Sequence, residues 1–298
     1  MIRFLTTRRR AATLADWLAG PGATYADRIR PVFYEDVLQR RAEIVGSDVW
    51  IVADYDKLAT DDALSASALW QKLHEAGCRI LNHPTRSMRR YELMRTLFEA
   101  RVNAFNIYRV VDLRPPQRFP VFLRRFDDHA GPLTGQLSDA EALAKATEHA
   151  YEAGWPMDWL AIVEFAETVE PDGLYRVRSA MRIGEALFPL HVLSRDRWVV
   201  KDPGDGRWDA AAEDSEADHL GRFAERDAVA EAFRLARIDY GRIDYSRAGA
   251  GIQVWEIDPS PELFGTAARM PERAAAAAAG LASIASAFDR LLAVGAAA

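Results

Sequence analysis

The chain has 298 residues, of which 49% are hydrophobic and 28% charged, a composition that provides ample core for one large domain or two ordinary ones. A formal net charge of −6 with a pI of about 5.6 argues against a dedicated nucleic-acid binder, which carries a basic excess on one domain. The single cysteine, Cys78, excludes an intramolecular disulfide and reads as a core or strand residue. No stretch approaches the ~18 apolar residues that span a bilayer. The opening Met1-Ile2-Arg3-Phe4 lacks the apolar region of a secretory signal, so a cytoplasmic protein without a membrane partner is expected.

Arg8-Arg9-Arg10 reads as a solvated face. Val49 to Ala53 is a short apolar run that predicts a strand. The spacing of Leu69, Leu73 and Ala76 predicts a helix over about 62–76, stopped by Gly77. Arg79-Ile80-Leu81 is a second strand, and the resulting βαβ unit implies a parallel sheet. Ser87 is placed to cap a helix bearing Leu93, Met94, Leu97 and Phe98. Arg114-Pro115-Pro116 is a connector, which puts a domain boundary at 113/114.

Phe119 to Arg125 reads as a strand, followed by a glycine-containing loop from Asp127 to Gly135. Ser138-Asp139-Ala140-Glu141 has the form of a capping box with serine at the N-cap, opening a helix to about Ala153. Trp159 to Phe165 is a strand, and Tyr175 to Leu193 a hairpin turning at Gly184-Glu185. Lys201 to Asp218 is acidic and expected to be a loop, 223–237 helical, and Ala274 onward a terminal helix of high propensity. The eight tryptophans are not interleaved with basic residues and read as core and rim. The six histidines show no metal-ligand spacing, and triad-hydrolase, P-loop and dinucleotide-binding motifs are missing from the sequence.

Residues 242–258 carry the most chemistry. The two-residue strand period sets Glu256 and Asp258 on one face of their strand and, for the same reason, Arg242 and Asp244 on one face of the preceding strand. If Gly249-Ala250-Gly251 is a three-residue hairpin loop, Ala248 lies opposite Ile252, Asp244 opposite Glu256, and Arg242 opposite Asp258. Opposed side chains have Cβ atoms roughly 5 Å apart, where like charges destabilise, so three carboxylates on one face call for a cation. Arg242 supplies part of it, and Mg²⁺, which takes one or two carboxylates plus substrate phosphates, supplies more. A solvent-facing strand pair laced by an Arg–Asp bridge would present the same spacing.

Asp239-Tyr240-Gly241-Arg242-Ile243-Asp244, then Val254-Trp255-Glu256-Ile257-Asp258-Pro259-Ser260-Pro261, resembles the metal-site signature of the ATP-grasp superfamily. The likeness is to the glutathione-synthetase and ribosomal-modification ligases and the D-alanine–D-alanine ligases. It implies an α/β and α+β architecture: an N-terminal parallel α/β (pre-ATP-grasp) domain over 1–113 and an ATP-grasp domain over 114–298, with a small lobe to about 168 and a large lobe from 169. By this resemblance Asp244, Glu256 and Asp258 would hold two Mg²⁺ ions, and Arg242 would steady the acyl phosphate.

Other segments extend the resemblance. Leu81-Asn82-His83-Pro84 is similar to the family's strand-end Asn-x-Pro, with Arg89-Arg90 on the following helix in place of a nucleotide-binding lysine. Phe119-Pro120-Val121-Phe122-Leu123-Arg124 is similar to the family's Pro-Val-hydrophobic-Lys strand, with Arg124 for lysine. The resemblance implies that Arg90 and Arg124 touch the nucleotide, and that Glu164, Phe165 and Ala166 form the hinge whose backbone reads adenine. Arg176, Arg178 and Arg182 alternate along one strand face, and with His191 on the return strand they would form a basic clamp on triphosphate and carboxylate. His129 would touch phosphate or substrate. The activity implied is an ATP- and Mg²⁺-dependent ligase joining a small-molecule or peptide carboxylate to an amine or thiol through an acyl phosphate. A nucleotide-binding regulatory or scaffold protein with weakened catalysis, and a small-molecule kinase using Asp54, Asp56 or His83 as base, remain open as alternatives. A homo-oligomer is compatible with the sequence.

Overall fold

The computed structural model describes residues 1–38, 48–126, 131–200, 208–263 and 273–295. Strands β1 (Ile2–Thr6), β2 (Ile29–Phe33), β3 (Val49–Val52) and β4 (Arg79–Leu81) form an all-parallel sheet in the order β2-β1-β3-β4. β3 is buried along its whole length, as its unbroken Val-Trp-Ile-Val run requires of a strand covered on both faces. β5 (Ile107–Arg109), β6 (Val121–Arg125) and β7 (Leu160–Glu164) form an antiparallel sheet ordered β5-β7-β6. β5 therefore joins this sheet although it precedes the Arg114-Pro115-Pro116 connector.

The third sheet is antiparallel and ordered β11-β10-β8-β9, from β8 (Tyr175–Ile183), β9 (Ala186–Arg195), β10 (Tyr240–Ala248) and β11 (Gly251–Asp258). The helices are α1 (Ala12–Ala19), α2 (Tyr34–Val37), α3 (Thr60–Glu75), α4 (Arg90–Glu99), α5 (Ala140–Glu152), α6 (Ala210–Arg222), α7 (Arg226–Ala236) and α8 (Ala274–Gly295). One core cluster packs α3, α4 and α7 against β3, β10 and β11, and a second packs α1 and α8 against the parallel sheet and β8.

Several expectations are corrected. The N-cap of α5 is Asp139, whose Oδ1 accepts from the Ala142 amide at 2.9 Å; Ser138 only supports it, donating to Asp139 Oδ2. Ser87 does not cap α4, because its hydroxyl donates to the Arg237 carbonyl at 2.6 Å and accepts from the His83 amide. The acidic stretch expected as a loop contains α6, capped by Asp209 through the Ala212 amide. It buries Ala212, Glu216 and His219 at helical spacing, and two polar residues on that inner face conceal the amphipathic period. Residues 201–207 of that stretch lie outside the described residues.

Through its alanines, α8 does reach spanning length and hydropathy over Ala274–Ala293, with mean hydropathy 1.3, against the expectation from sequence. Here it lies on the sheet with Ile284, Ala287, Phe288 and Leu291 buried.

Asn82, in the Asn-x-Pro motif, fastens the parallel sheet to the hairpin. In a left-handed conformation (φ +65°), it donates to the Val52 and Tyr240 carbonyls at 3.1 and 2.9 Å. Its Oδ1 accepts from the Asp239 and Tyr240 amides. Asn82→Ala strands four backbone groups and is expected to cost about 3 kcal/mol in urea unfolding.

Candidate active site

β10 and β11 pair with Asp244 opposite Glu256 and Arg242 opposite Asp258, by a different route from that expected. Ala248 faces Gly251 rather than Ile252, so the turn is the two residues Gly249-Ala250, with Gly249 at φ +57°. The register then shifts between Asp244 and Tyr245, where Trp255 is the extra residue on β11. This bulge restores the carboxylate pairing and turns Trp255 toward the same cavity as Glu256.

That cavity is a cleft of about 470 Å³ between the small sheet and the large one. Its size falls in the usual range for small-molecule sites. One end is apolar and aromatic. Trp198 lies 5.0 Å from the Phe122 ring and meets Phe165 edge-on at 5.7 Å, with Leu193 and Val177 beside them. The other end carries Arg242, Asp244, Glu256, Asp258, Glu262 and Arg10, with Arg124, Gly131 and Pro132 also on the wall.

Each hairpin carboxylate is met by an arginine from a different place. Arg242 grips Asp244 with Nε and Nη2, each at 3.1 Å. Burial works against the Arg242 charge, but Asp244 and Asp258 outweigh it and push the guanidinium's pKa up. Arg90, from the first turn of α4, pairs with Glu256. Arg10 reaches Asp258 at 3.7 Å and Asp54 at 3.2 Å, and donates to the Ser260 carbonyl. The cation that the opposed carboxylates call for is thus supplied three times by arginine.

As donors, Asp244, Glu256 and Asp258 suit a hard divalent ion, since their oxygens match what Mg²⁺ takes. Among the described residues no group of three or more acidic, histidine or cysteine side chains is gathered for a metal. A magnesium ion held with nucleotide phosphates would take one or two of these carboxylates and exchange them from their arginines.

Ser179, which sequence reasoning missed, orients this end. Its hydroxyl donates to Asp244 Oδ1 at 2.6 Å and lies 3.1 Å from His191 Nε2. Because the serine proton is committed to Asp244, His191 must donate through Nε2. Burial, and then the charge of Arg242, hold the His191 pKa well below the ordinary range, so the ring is neutral. His219 of α6 donates to the Ser179 carbonyl at 2.9 Å, and burial lowers its pKa to about 4. The unfolded chain therefore binds more protons than the folded one between pH 6.5 and 4. Stability is full above pH 6.5 and falls as pH drops through that window, by about 3 kcal/mol for His219 alone. Urea unfolding across pH 7.5 to 4 checks this, with His219→Asn expected to reduce the fall in stability and the share due to buried His191 remaining.

Phe165, Ala166, Arg124, His191, Arg242, Asp244, Glu256 and Asp258 all border the cleft. Arg176, Arg178 and Arg182 do not form the expected stripe with His191. Val177 and Ser179 take the cleft side of β8, and the arginines project from its other face. There Arg176 pairs with Glu170 and Asp172, Arg178 with Glu170, and Arg182 with Asp239. The Glu164 side chain is also turned away from the cleft. Buried, it accepts from the Tyr108 hydroxyl and from the Gln117 and Asn106 amides, tying β7 to β5. Arg90 reaches the cleft through Glu256 without lining it. His129 lies outside the described residues. Arg10 and Trp198, read from sequence as a solvated face and as core or rim, both border the cleft. A run of three arginines and an isolated tryptophan gave no spacing by which to find them.

The fold matches that of the D-alanine–D-alanine ligase of Bacillus anthracis complexed with ATP, at a TM-score of 0.55 and 12% identity over 98% of each chain. A second structure of that ligase matches at 0.53 and 13% over the same shares. The chain has the ATP-grasp fold. A RimK domain ATP-grasp protein of Sphaerobacter thermophilus matches at 0.46 and 12%, over 95% of this chain and 97% of that one. No family model matches the sequence, and no curated protein matches it. In this ATP-grasp architecture the cleft runs between the two antiparallel sheets, and the hairpin forms its charged end.

Proposed function

We propose that the protein is an ATP-dependent ligase that joins a carboxylate to an amine or thiol through an acyl phosphate. One observation carries this: a cleft with an aromatic end and an arginine–carboxylate end, on the fold of an ATP-complexed ligase. Phe122, Phe165 and Trp198 would pack on adenine, with the backbone at 165–166 meeting its polar edge. Arg124 would meet the phosphates. A substrate carboxylate oxygen attacks the γ-phosphorus and the bond to the β-phosphate oxygen breaks, releasing ADP. The amine or thiol then attacks the acyl carbon, phosphate leaves, and the nucleophile's proton passes to solvent or phosphate. Arg242, held in plane by Asp244, would stabilise the charge developing on the transferring group. Asp244, Glu256 and Asp258 would hold magnesium, which when bound supplies neutralisation of phosphate charge. Positioning and electrostatics carry the rate, and no side-chain nucleophile is required.

The Arg90–Glu256 pair favours a second reading, a nucleotide-binding protein with weakened catalysis, because it occupies the carboxylate a magnesium ion would share. Titration of ATP with and without Mg²⁺ against the wild type and Glu256→Ala separates the two, followed by a screen for ADP and phosphate release with pooled amino acids and carboxylic acids. Turnover that needs both an acid and an amine or thiol supports the ligase. Magnesium-dependent binding without turnover supports the second reading, and a phosphorylated product formed without an amine indicates a kinase. Negligible ATP affinity in both proteins sinks the nucleotide reading altogether.

A further inference from the structure

One wall of the cleft is a ladder of side chains set by strand register. Val177 of β8 pairs with Leu193 of β9, and both border the aromatic end. One step along, a single row crosses the sheet: His191 on β9, Ser179 on β8, Asp244 on β10 and Glu256 on β11. Arg242 and Asp258 form the row beyond it. Apolar side chains thus give way to His191 and Ser179, and these to carboxylates and arginine. A nucleotide laid along this wall would put its base, sugar and phosphates on them in that order.

His191 is only 6% exposed, yet it borders the cleft. Its Nε2 carries the proton given to Ser179, which leaves Nδ1 as the acceptor of the ring. Burial and the Arg242 charge keep the imidazole neutral, so Nδ1 retains its lone pair at neutral pH. Among the described residues Nδ1 meets no donor, and unlike Nδ1 of His219 it is not sealed in the interior. A buried ring therefore turns one unsatisfied acceptor to the cleft, an arrangement that favours a ligand carrying a donor at that point.

The chemistry of the donor follows from position. Phosphate oxygens are themselves acceptors and meet a lone pair unfavourably, so His191 does not serve the phosphate clamp expected of it. The polar edge of the base is directed to the backbone at 165–166. His191 lies two residues along β9 from Leu193, roughly 7 Å, which is the level of the sugar. The ribose hydroxyls are the donors of ATP that remain.

We propose that His191 is a specificity-determining residue whose Nδ1 accepts a hydrogen bond from a ribose hydroxyl, so that the site selects ribonucleotides over deoxyribonucleotides. This rests on the reading of the cleft as an ATP site. Ser179 acts as a positioning residue, because its contact with Nε2 fixes which ring nitrogen accepts.

The test titrates the full chain by calorimetry with ATP, 2′-deoxy-ATP and 3′-deoxy-ATP, each with Mg²⁺. Wild type, His191→Phe and Arg124→Met are compared, with folding checked by circular dichroism. Wild type is expected to bind one of the two deoxynucleotides about tenfold more weakly than ATP, because Nδ1 is then left without a donor. That nucleotide names the hydroxyl. His191→Phe keeps a ring but no acceptor, so the three nucleotides are expected to bind it within about twofold of one another. Arg124→Met weakens all three alike. If His191→Phe does not fold, the wild type decides: the Nδ1 resonance of His191 in nitrogen-15-labelled protein shifts with ATP and not with the weaker deoxynucleotide. Wild-type binding of all three within about twofold overturns the proposal and leaves the ATP site standing. So does a His191→Phe that keeps the wild-type preference, or an Nδ1 resonance that responds equally to all three. Failure of the wild type to bind any of them removes the nucleotide reading itself, and this inference falls with it.

Discussion

Arg242→Met is expected to slow ADP release by about 10²–10³-fold, the usual loss when one preorganised group facing transition-state charge is removed. The guanidinium sits in the cleft, clamped through two nitrogens by Asp244, which is itself fixed by Ser179 and thereby by His191. That chain of contacts holds the arginine in one orientation before substrate arrives, so little reorganisation is needed as charge develops. The loss should fall on kcat, with the KM for ATP within about threefold of wild type, because the interaction strengthens only in the transition state. Arg242→Lys keeps the charge but cannot fork onto Asp244, and is expected to lie between the two, about tenfold down. Steady-state ADP release with the acceptor pair found by the substrate screen checks both variants. A kcat unchanged in Arg242→Met would assign the Arg242–Asp244 pair to holding β10 in shape and nothing more.

The hairpin shows what sequence reasoning can and cannot reach. The facing of Asp244 and Glu256 follows from a period of two on each strand, which backbone geometry enforces. The sequence predicts a three-residue turn where the structure has two residues, and the pairing survives only because Trp255 forms a bulge that adds the residue back. Nothing in the sequence around Trp255 announces a bulge, since it is set by how β11 must bend to present Trp255 and Glu256 to one cavity. The arginines of β8 fail in the other way. Their alternation puts them on one shared face, but which face meets the cleft is decided by the helices packed behind the sheet. There Arg178 approaches Ser215 of α6, and Tyr245 reaches Glu225 beside α7. The residue pointing into the site was the serine between the arginines, too plain to stand out. α6 was invisible for a related reason: Glu216 lies inward because it binds Arg273 and the Val192 amide, contacts made far away in sequence.

The same packing sets a sharp expectation for Arg178. Its side chain is fully buried, and its Nη1 donates to Glu170 Oε1 at 2.6 Å, while the other Glu170 oxygen receives Arg176. Removing one partner of a buried pair leaves charge without compensation, whereas the Met side chain of Arg178→Met fills much of the vacated volume. Arg178→Met is therefore expected to cost about 3 kcal/mol in urea unfolding, the lower part of the range because Glu170 keeps Arg176 and is partly solvated. ATP affinity should stay within about twofold of wild type, since the guanidinium faces α6 and not the cleft. A phosphate clamp on β8 requires the opposite pattern, with affinity down about tenfold or more for a lost charge-assisted contact and little change in stability. Measuring unfolding and ATP binding on one preparation decides between them. The structural result is the one favoured by a guanidinium whose partners already sit on its own side of the sheet.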